Sequence, residues 1–310
     1  MIKEAKWKES GNMDEKKSYL AGAGIAILFG TSFLASKTAL SVFVQPAILA
    51  WRFTVAACIL WILAIFNVIH IDLKRKPWYR LLGISVVYPI LSYTLETKGL
   101  TMVPSSQAGV IVSLMPVITM IMGAVFLKEH MKWTQNIMAL LSVSGVVLIT
   151  VCSEQAEAGH SLLGVLCLLC STSCGAGQAV LVRSQRKYFS SLEMTLVMNT
   201  VAAVFFMLEL FALHGAETFS LLLEPLLKPE GWIPVLYLGA GCSIGAMFCL
   251  NYVNSHMEVA RAAVFNNLST IVSVLAGVFI AHEGINIGVL IGMVLILLGV
   301  WGVNYFSKAI

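Results

Sequence analysis

The stretch SSQAGVIVSLMPVITMIMGAVFLKEHMKWTQNIMALLSVSGVVLIT, residues 105–150, holds two apolar runs separated by a short polar hinge, Lys128–Lys132. Each run is about long enough to cross a hydrocarbon core of about 30 Å as a helix. The pattern returns 154 residues later, the distance from Glu129 to Glu283. Ala108, Val110, Leu114, Gly123, Glu129, Ile137, Leu141 and Gly145 recur as Ala262, Val264, Leu268, Gly277, Glu283, Ile291, Leu295 and Gly299. Apolar matches alone arise by chance in a hydrophobic chain. One Glu between two apolar runs, flanked by Gly at unchanged distances, marks an internal duplication.

Composition sets the class. Of 310 residues, 58% are hydrophobic and 12% charged, and mean hydropathy is +0.87. Soluble domains carry about 25% charged residues, so this chain could not cover a water-exposed surface. It reads as an all-α polytopic membrane protein. The net charge of +4 sits mostly in loops and the N-terminal tail, which reports topology rather than a nucleic-acid partner. No cleavable signal is expected, because the first apolar run is too long for a signal h-region. The seven cysteines lack metal-ligand spacing. Cys167, Cys170 and Cys174 share one helical face and read as small packing residues. No metal or other cofactor is expected.

Ten transmembrane helices are expected, at about 18–40, 46–69, 78–97, 105–127, 133–152, 161–182, 192–213, 232–252, 259–281 and 285–306. They divide the chain into a polar tail (1–17), a first five-helix repeat (18–152), a linker (153–160), a second five-helix repeat (161–306) and a C-terminal tail (307–310). The longest loop is Gly215–Gly231, with Pro225 and Pro229. With a cytoplasmic N-terminus, the inner segments hold the tail lysines, Lys74, Arg75, Lys76, Arg80, Lys128, Lys132, Arg183, Arg186, Lys187, Arg261 and Lys308. The outer segments hold at most Lys37, Lys98 and Lys228. This asymmetry places both termini in the cytoplasm and the protein in the cytoplasmic (inner) membrane. Five is odd, so the second repeat enters from the opposite side and the repeats are inverted. At an offset of 146, Lys37 recurs as Arg183 and Thr54–Ala57 as Thr200–Ala203; Trp78 meets Trp232 at the offset of 154.

Inverted repeats are a common way for secondary transporters to build two exchangeable conformations around one central site. The sequence holds no G-x-x-x-x-G-K-[ST] and no soluble region large enough for a nucleotide domain, which argues against an ATP-driven device. The chain resembles the drug/metabolite transporter superfamily, EamA type, over nearly its full length. The residues that carry the resemblance are LFGTSFLASK with Gly30 and Lys37, Pro46, Trp51-Arg52-Phe53, SSQAGVIVSLMPV with Pro116, Phe126-Leu127-Lys128-Glu129, and Gly145-Val146. The departure is Thr270, which stands where the second repeat would match Pro116. The resemblance implies ten helices in two inverted repeats. It also implies secondary transport of a small organic metabolite, an amino acid or related compound, by alternating access and often outward. Partners are then the substrate, the lipid bilayer and protons as coupling ion, with the chain a monomer or weak dimer. Two other classes are weighed. An intramembrane enzyme would need a cluster such as H-E-x-x-H, and none is present. A non-transporting receptor or assembly protein gives no reason for the duplication.

Charges inside spans are costly and face a cavity or a partner. Lys37 either snorkels to the interface or serves as a cavity cation for an anionic substrate group. Arg52 reads as structural, bonding a carbonyl or Glu96, with substrate contact the other reading; its repeat position is Met198. Glu96 and Glu209 are the coupling candidates, as carboxylates inside spans. Glu129 and Glu283 read as caps that fix turns. The resemblance places a central cavity among the first, third and fourth spans and their repeats, which selects Tyr88, Tyr93, Gln107, Gln178, Asn251 and Asn266 as substrate contacts. Pro89 and Pro116 free backbone carbonyls and suit bending or ligand contact. Gly22, Gly24, Gly288 and Gly292 permit close helix contact, internally or in a dimer.

Cysteines introduced at Lys76 and Arg186 should be shielded from an impermeant thiol reagent in intact cells, and one within 217–230 should be labelled. Labelling at Lys76 would sink the proposed orientation.

Overall fold

The computed structural model describes residues 19–73, 76–115, 117–118, 121–122, 133–152, 158–185, 187–246, 249, 259–284 and 286–307. Among the described residues there is helix and no strand. Helix α1 is Tyr19–Leu40 and α2 is Gln45–Ile65. Helix α3 joins Tyr79–Ser85, the π-helical Val86–Leu91 and Ser92–Leu100. Then come α4, Ser105–Val112, α5, Trp133–Cys152, α6, Ala158–Gln185, and α7, Ser191–His214. Helix α8 joins Pro229–Leu236 to the π-helical Tyr237–Ala246. Helices α9 and α10 are Val259–Phe279 and Ile287–Ser307. Tyr19–Leu40, Gln45–Ile65 and the run Ser191–Leu227 are each long and apolar enough to cross a bilayer.

Local chemistry fixes the helix starts. Pro46 sits in the first turn of α2, where no backbone donor is missed. Helix α7 opens on a capping box: Ser190 Oγ accepts from Glu193 N at 3.2 Å, and the Glu193 carboxylate accepts from Ser190 N at 2.8 Å. Asn286 caps α10, its Oδ1 accepting from Val289 N at 2.8 Å. The α7–α8 connection, expected as a loop, is largely helical over Gly215–Leu227. Pro225 and Pro229 each stand in the first turn of a short helix rather than breaking one. Trp51 Nε1 donates to Leu222 O at 3.0 Å and ties this connection to α2.

Apolar residues cover both faces of the helices. On α10, Val289, Met293, Ile296, Val300 and Val303 are buried while Leu290, Ile291, Val294, Leu298 and Trp301 are exposed. A helix that is apolar all round suits a lipid surface. Helices pack in a regular scheme: α5 on α10, α4 on α9, α2 on α7, α1 on α8 and α3 on α6, with α2 also on α8 and α7 on α3. Exchanging each helix for the one five places away maps this scheme onto itself.

The α5–α10 pair is held by shape. A Cβ on Gly145 would lie 2.6 Å from Gly292 O, and one on Gly292 would lie 2.8 Å from Gly145 O and 2.7 Å from Ile149 Cγ1. Gly288 lies against Cys152, and Gly299 and Gly302 against Met138. The Gly288-x-x-x-Gly292 stripe is therefore occupied inside the chain. Gly292→Val should destabilise the fold by about 1–3 kcal/mol through overpacking. Gly83→Ala, with nothing within 4 Å of its added Cβ, should be neutral or slightly stabilising. Thermal midpoints of detergent-purified variants check both, and an unaltered midpoint for Gly292→Val would contradict the close approach.

Candidate functional site

Both α3 and α8 contain a π-helical stretch, and the 154-residue offset lays Val86–Leu91 onto residues 240–245 inside Tyr237–Ala246. Tyr88 pairs with Cys242, and Pro89 with Ser243. In α3 the cause is local. Pro89 has no N–H, and the residue before a proline is pushed out of the α region; Tyr88 is extended at φ −148°, ψ 121°. In α8 the π stretch Tyr237–Ala246 itself holds no proline, and Pro234 stands three residues before it. Ser243 Oγ donates to Leu238 O at 3.0 Å, five residues back, the reach that a π turn provides. Single π turns inside helices frequently mark functional sites.

Arg52 lies between the two stretches. It is 3% exposed. Its Nε donates to Ser243 Oγ and its Nη2 to Tyr93 OH, both at 3.3 Å. The guanidinium carbon stands 4.3 Å from the Tyr93 ring centre and 5.9 Å from that of Phe53, a cation–π arrangement that compensates lost hydration. Phe53 in turn packs edge-on against Tyr93 and stacks on Phe206 of α7. The Tyr88 and Tyr93 hydroxyls are 3.0 Å apart, a pair five positions apart that the π turn brings onto one side. Glu96, one turn beyond Tyr93, is half-buried and interacts electrostatically with Arg52. On the α8 side, Tyr237 OH and Cys242 Sγ donate to Leu28 O of α1 at 3.2 Å each. A guanidinium has five donors, so a buried arginine of this kind can take a carboxylate in addition to its hydroxyl partners.

The other sequence candidates fall as follows. Gln107 is 3% exposed on α4, and its Oε1 has no hydrogen-bond partner among the described residues. Gln178 is half-buried on α6. Asn251, Pro116 and Glu129 lie outside the described residues, as does the side chain of Asn266. Glu209 is half-buried on α7, between the buried face of Ala202, Phe206 and Leu210 and the exposed Phe205, Leu208 and Leu213.

Lys37 and Glu283 meet each other. The Lys37 ammonium is 3.3 Å from Glu283 Oε1, and the two residues line an open recess of about 300 Å³ with Leu34, Thr38, Ala281 and His282. Glu283 also accepts from Ser105 N and Ser105 Oγ at 2.8 Å each and from Ser106 N at 3.0 Å. A carboxylate at a helix N-terminus satisfies free donors and meets the positive end of the dipole. Burial pushes the Glu283 carboxyl up, but the bonds from Ser106 and Ser105 outweigh it and hold the group below the usual glutamate range. With the folded value depressed, the cap contributes fully above the unfolded pKa and is lost as pH falls through the folded one. At the opposite end, Lys76 pairs with Glu193 at 2.8 Å, and Asp72 N donates to the same carboxylate at 2.9 Å.

Ser243, Cys242 and Tyr237 were not singled out from sequence. The signal that could have found Ser243 and Cys242 is the repeat offset, which sets them opposite Pro89 and Tyr88.

The EamA-like transporter family model matches the chain twice, over residues 16–151 and 162–305. The uncharacterized transporter YcxC of Bacillus subtilis (strain 168) is 32% identical over 288 residues, 93% of this chain and 92% of its own length. The uncharacterized transporter YvbV of the same organism is 26% identical over 300 residues, covering 96% and 94%. An uncharacterized transporter of Archaeoglobus fulgidus is 24% identical over 296 residues, covering 92% and 98%. A crystal structure of a protein 18% identical to this chain superposes with a TM-score of 0.65, covering 94% and 98% of the two chains, a likeness of fold. The chain belongs to the EamA-like transporter family, as a helical membrane transporter.

Proposed function

We propose that the protein is a secondary active transporter that moves a small carboxylate-bearing metabolite, an amino acid or a related compound, out of the cytoplasm by alternating access. The observation that carries this reading is Arg52, buried between two helices with π-helical stretches and held by hydroxyl groups, with no direct ion pair among the described residues. Interrupted helices in matching halves are where such transporters bind substrate. The packing scheme that maps onto itself supports an inverted relation between 18–152 and 161–306. Lys and Arg density supports cytoplasmic termini and a cytoplasmic-membrane location. Family and relatives are named as transporters rather than enzymes.

In this reading the substrate carboxylate docks on Arg52, with Tyr88, Tyr93 and Ser243 orienting it. Glu96 carries the coupling proton, its charge balanced by Arg52. Gln107 and Gln178 contribute from α4 and α6, and Asn251 and Asn266 from the second repeat. Lys37, paired with Glu283, is not assigned a substrate contact.

Counterflow of labelled amino acids in proteoliposomes tests the substrate class. Arg52→Lys keeps the charge but loses the planar fork. It should weaken a carboxylate substrate by about 1.5–3 kcal/mol, the scale of a hydrogen bond to a charged group, and change a neutral analogue little. Equal affinities in wild type and variant would remove Arg52 from the site. Glu96→Gln should abolish uptake driven by a pH gradient yet leave counterflow intact. Persisting pH-driven uptake would discard Glu96 as the proton carrier, and the same test on Glu209→Gln distinguishes the two carboxylates.

A further inference from the structure

The Glu283 carboxylate joins three segments distant in sequence. It belongs to the turn between α9 and α10, binds Lys37 near the end of α1, and caps α4 through Ser105 and Ser106. The turn is shaped for this. Glu283 N donates to Gly277 O at 3.0 Å, and the turn passes through His282 at φ 52°. A Cβ on Gly277 would lie 2.5 Å from Glu283 Oε2 and 2.8 Å from Ser106 Cβ, so only glycine lets the carboxylate reach the α4 backbone. Beneath this junction Ser273 Oγ of α9 donates to Ser105 O at 3.3 Å, and Ser273 is 2% exposed. Glu283 is only 6% exposed at its side chain, Lys37 36%. Thus one acidic group from the second half of the chain closes the α1–α4–α9 end of the bundle over a buried polar seam.

We propose that Glu283, with Lys37 as its counter-charge, is a latch that holds this end of the transporter shut, and that release of Ser105, Ser106 and Lys37 is the step that opens it. The proposal rests on the alternating-access reading. The capping bonds and the ion pair exist only while the α9–α10 turn rests on α4. Breaking them frees three α4 donors, Ser105 N, Ser105 Oγ and Ser106 N, which water can solvate only once the end opens, whereas Lys37, 36% exposed, already meets solvent. The latch therefore favours the closed state by differential contact, the only way a group can bias such an equilibrium.

The test uses full-length protein in nanodiscs, with the seven native cysteines replaced and Ser273→Cys as reporter. The readout is its rate of reaction with an impermeant maleimide. Glu283→Gln removes the charge, Gly277→Ala displaces the carboxylate sterically, and Lys37→Met removes only the counter-charge. Glu283→Gln and Gly277→Ala should each raise the reporter rate by about tenfold or more, and Lys37→Met by less, in proportion to the bonds lost. A second reporter, Val300→Cys, is fully buried in the α5–α10 core and should keep its wild-type rate. Unchanged Ser273→Cys rates in Glu283→Gln and Gly277→Ala would overturn the latch. So would a parallel rise at Val300→Cys, which would mean general loosening of the bundle. If Glu283→Gln does not fold, Gly277→Ala and Lys37→Met decide the matter. The measurement needs no substrate, so absence of carboxylate flux would refute the transport reading while leaving the latch result to stand on its own.

Discussion

Hydrocarbon offers a polar group no hydrogen-bond partner, and this constraint organises the polar groups described above. The hydroxyls within helices turn back on their own backbone, as Thr38 does to Leu34, Thr94 to Ile90, Ser142 to Met138 and Thr172 to Leu168. Among the described residues, the carboxylates of Glu193 and Glu283 at helix ends each gather backbone N–H groups and a lysine. Arg52 meets the same demand by a different route, with two hydroxyls and an aromatic face. Serine and tyrosine hydroxyls can rotate and re-pair, whereas a carboxylate partner would hold the guanidinium in a fixed ion pair. A site that must accept and release an anion needs the first kind of partner.

Helix–helix packing divides along the same line. The α5–α10 pair relies on glycine and shape, with Gly145 and Gly292 in reciprocal backbone contact. The seams among α1, α2, α3 and α8 carry the polar contacts: Thr31 to Tyr237, Arg52 to Ser243, and Cys242 to Leu28. Apolar shape complementarity stabilises one arrangement and offers little in any other. Polar contacts of modest strength, about 0.6 kcal/mol each within membranes, can be exchanged at small cost. The chain thus joins a close-packed pair to a set of seams suited to rearrangement.

Much of this was readable beforehand because hydropathy and glycine spacing report directly on helices in lipid. Helix class, the positions of the apolar segments and the duplication around Glu129 and Glu283 all follow from composition and period. The site was harder to read. Arg52 and Ser243 are 191 positions apart, and Ser243 is one serine in a run of small residues with no hydropathy signature. The α8 π stretch holds no proline of its own, Pro234 standing three residues before it. Arg52 was read as structural, and burial alone does not distinguish a packed arginine from a binding one; the hydroxyl character of its partners supports the binding role proposed above. Lys37 drew attention as a cation on an unexpected side, and its pairing with Glu283 depends on a turn that only the folded chain brings within reach.

The duplication also shows what the two halves do not share. Arg52 matches Met198 at the 146-residue offset. Met198 is 6% exposed, in an apolar cluster with Leu81, Ile84, Phe189 and Met194. Tyr88 packs against that cluster and bonds Tyr93 beside Arg52. Helices α3 and α8 therefore share a π-helical stretch, while positions 52 and 198 beside them differ in charge. A second guanidinium at position 198 would have to be stripped of water near the first, and like charges in a medium of low dielectric repel strongly. One cation within the paired frame avoids that repulsion and, in the proposed function, offers a substrate anion a single site. The same logic places the interruptions in both halves, since backbone geometry carries no net charge and can be duplicated freely. Under the proposed alternating access, symmetry of the frame with asymmetry of the chemistry would let two similar halves exchange shapes around one bound molecule.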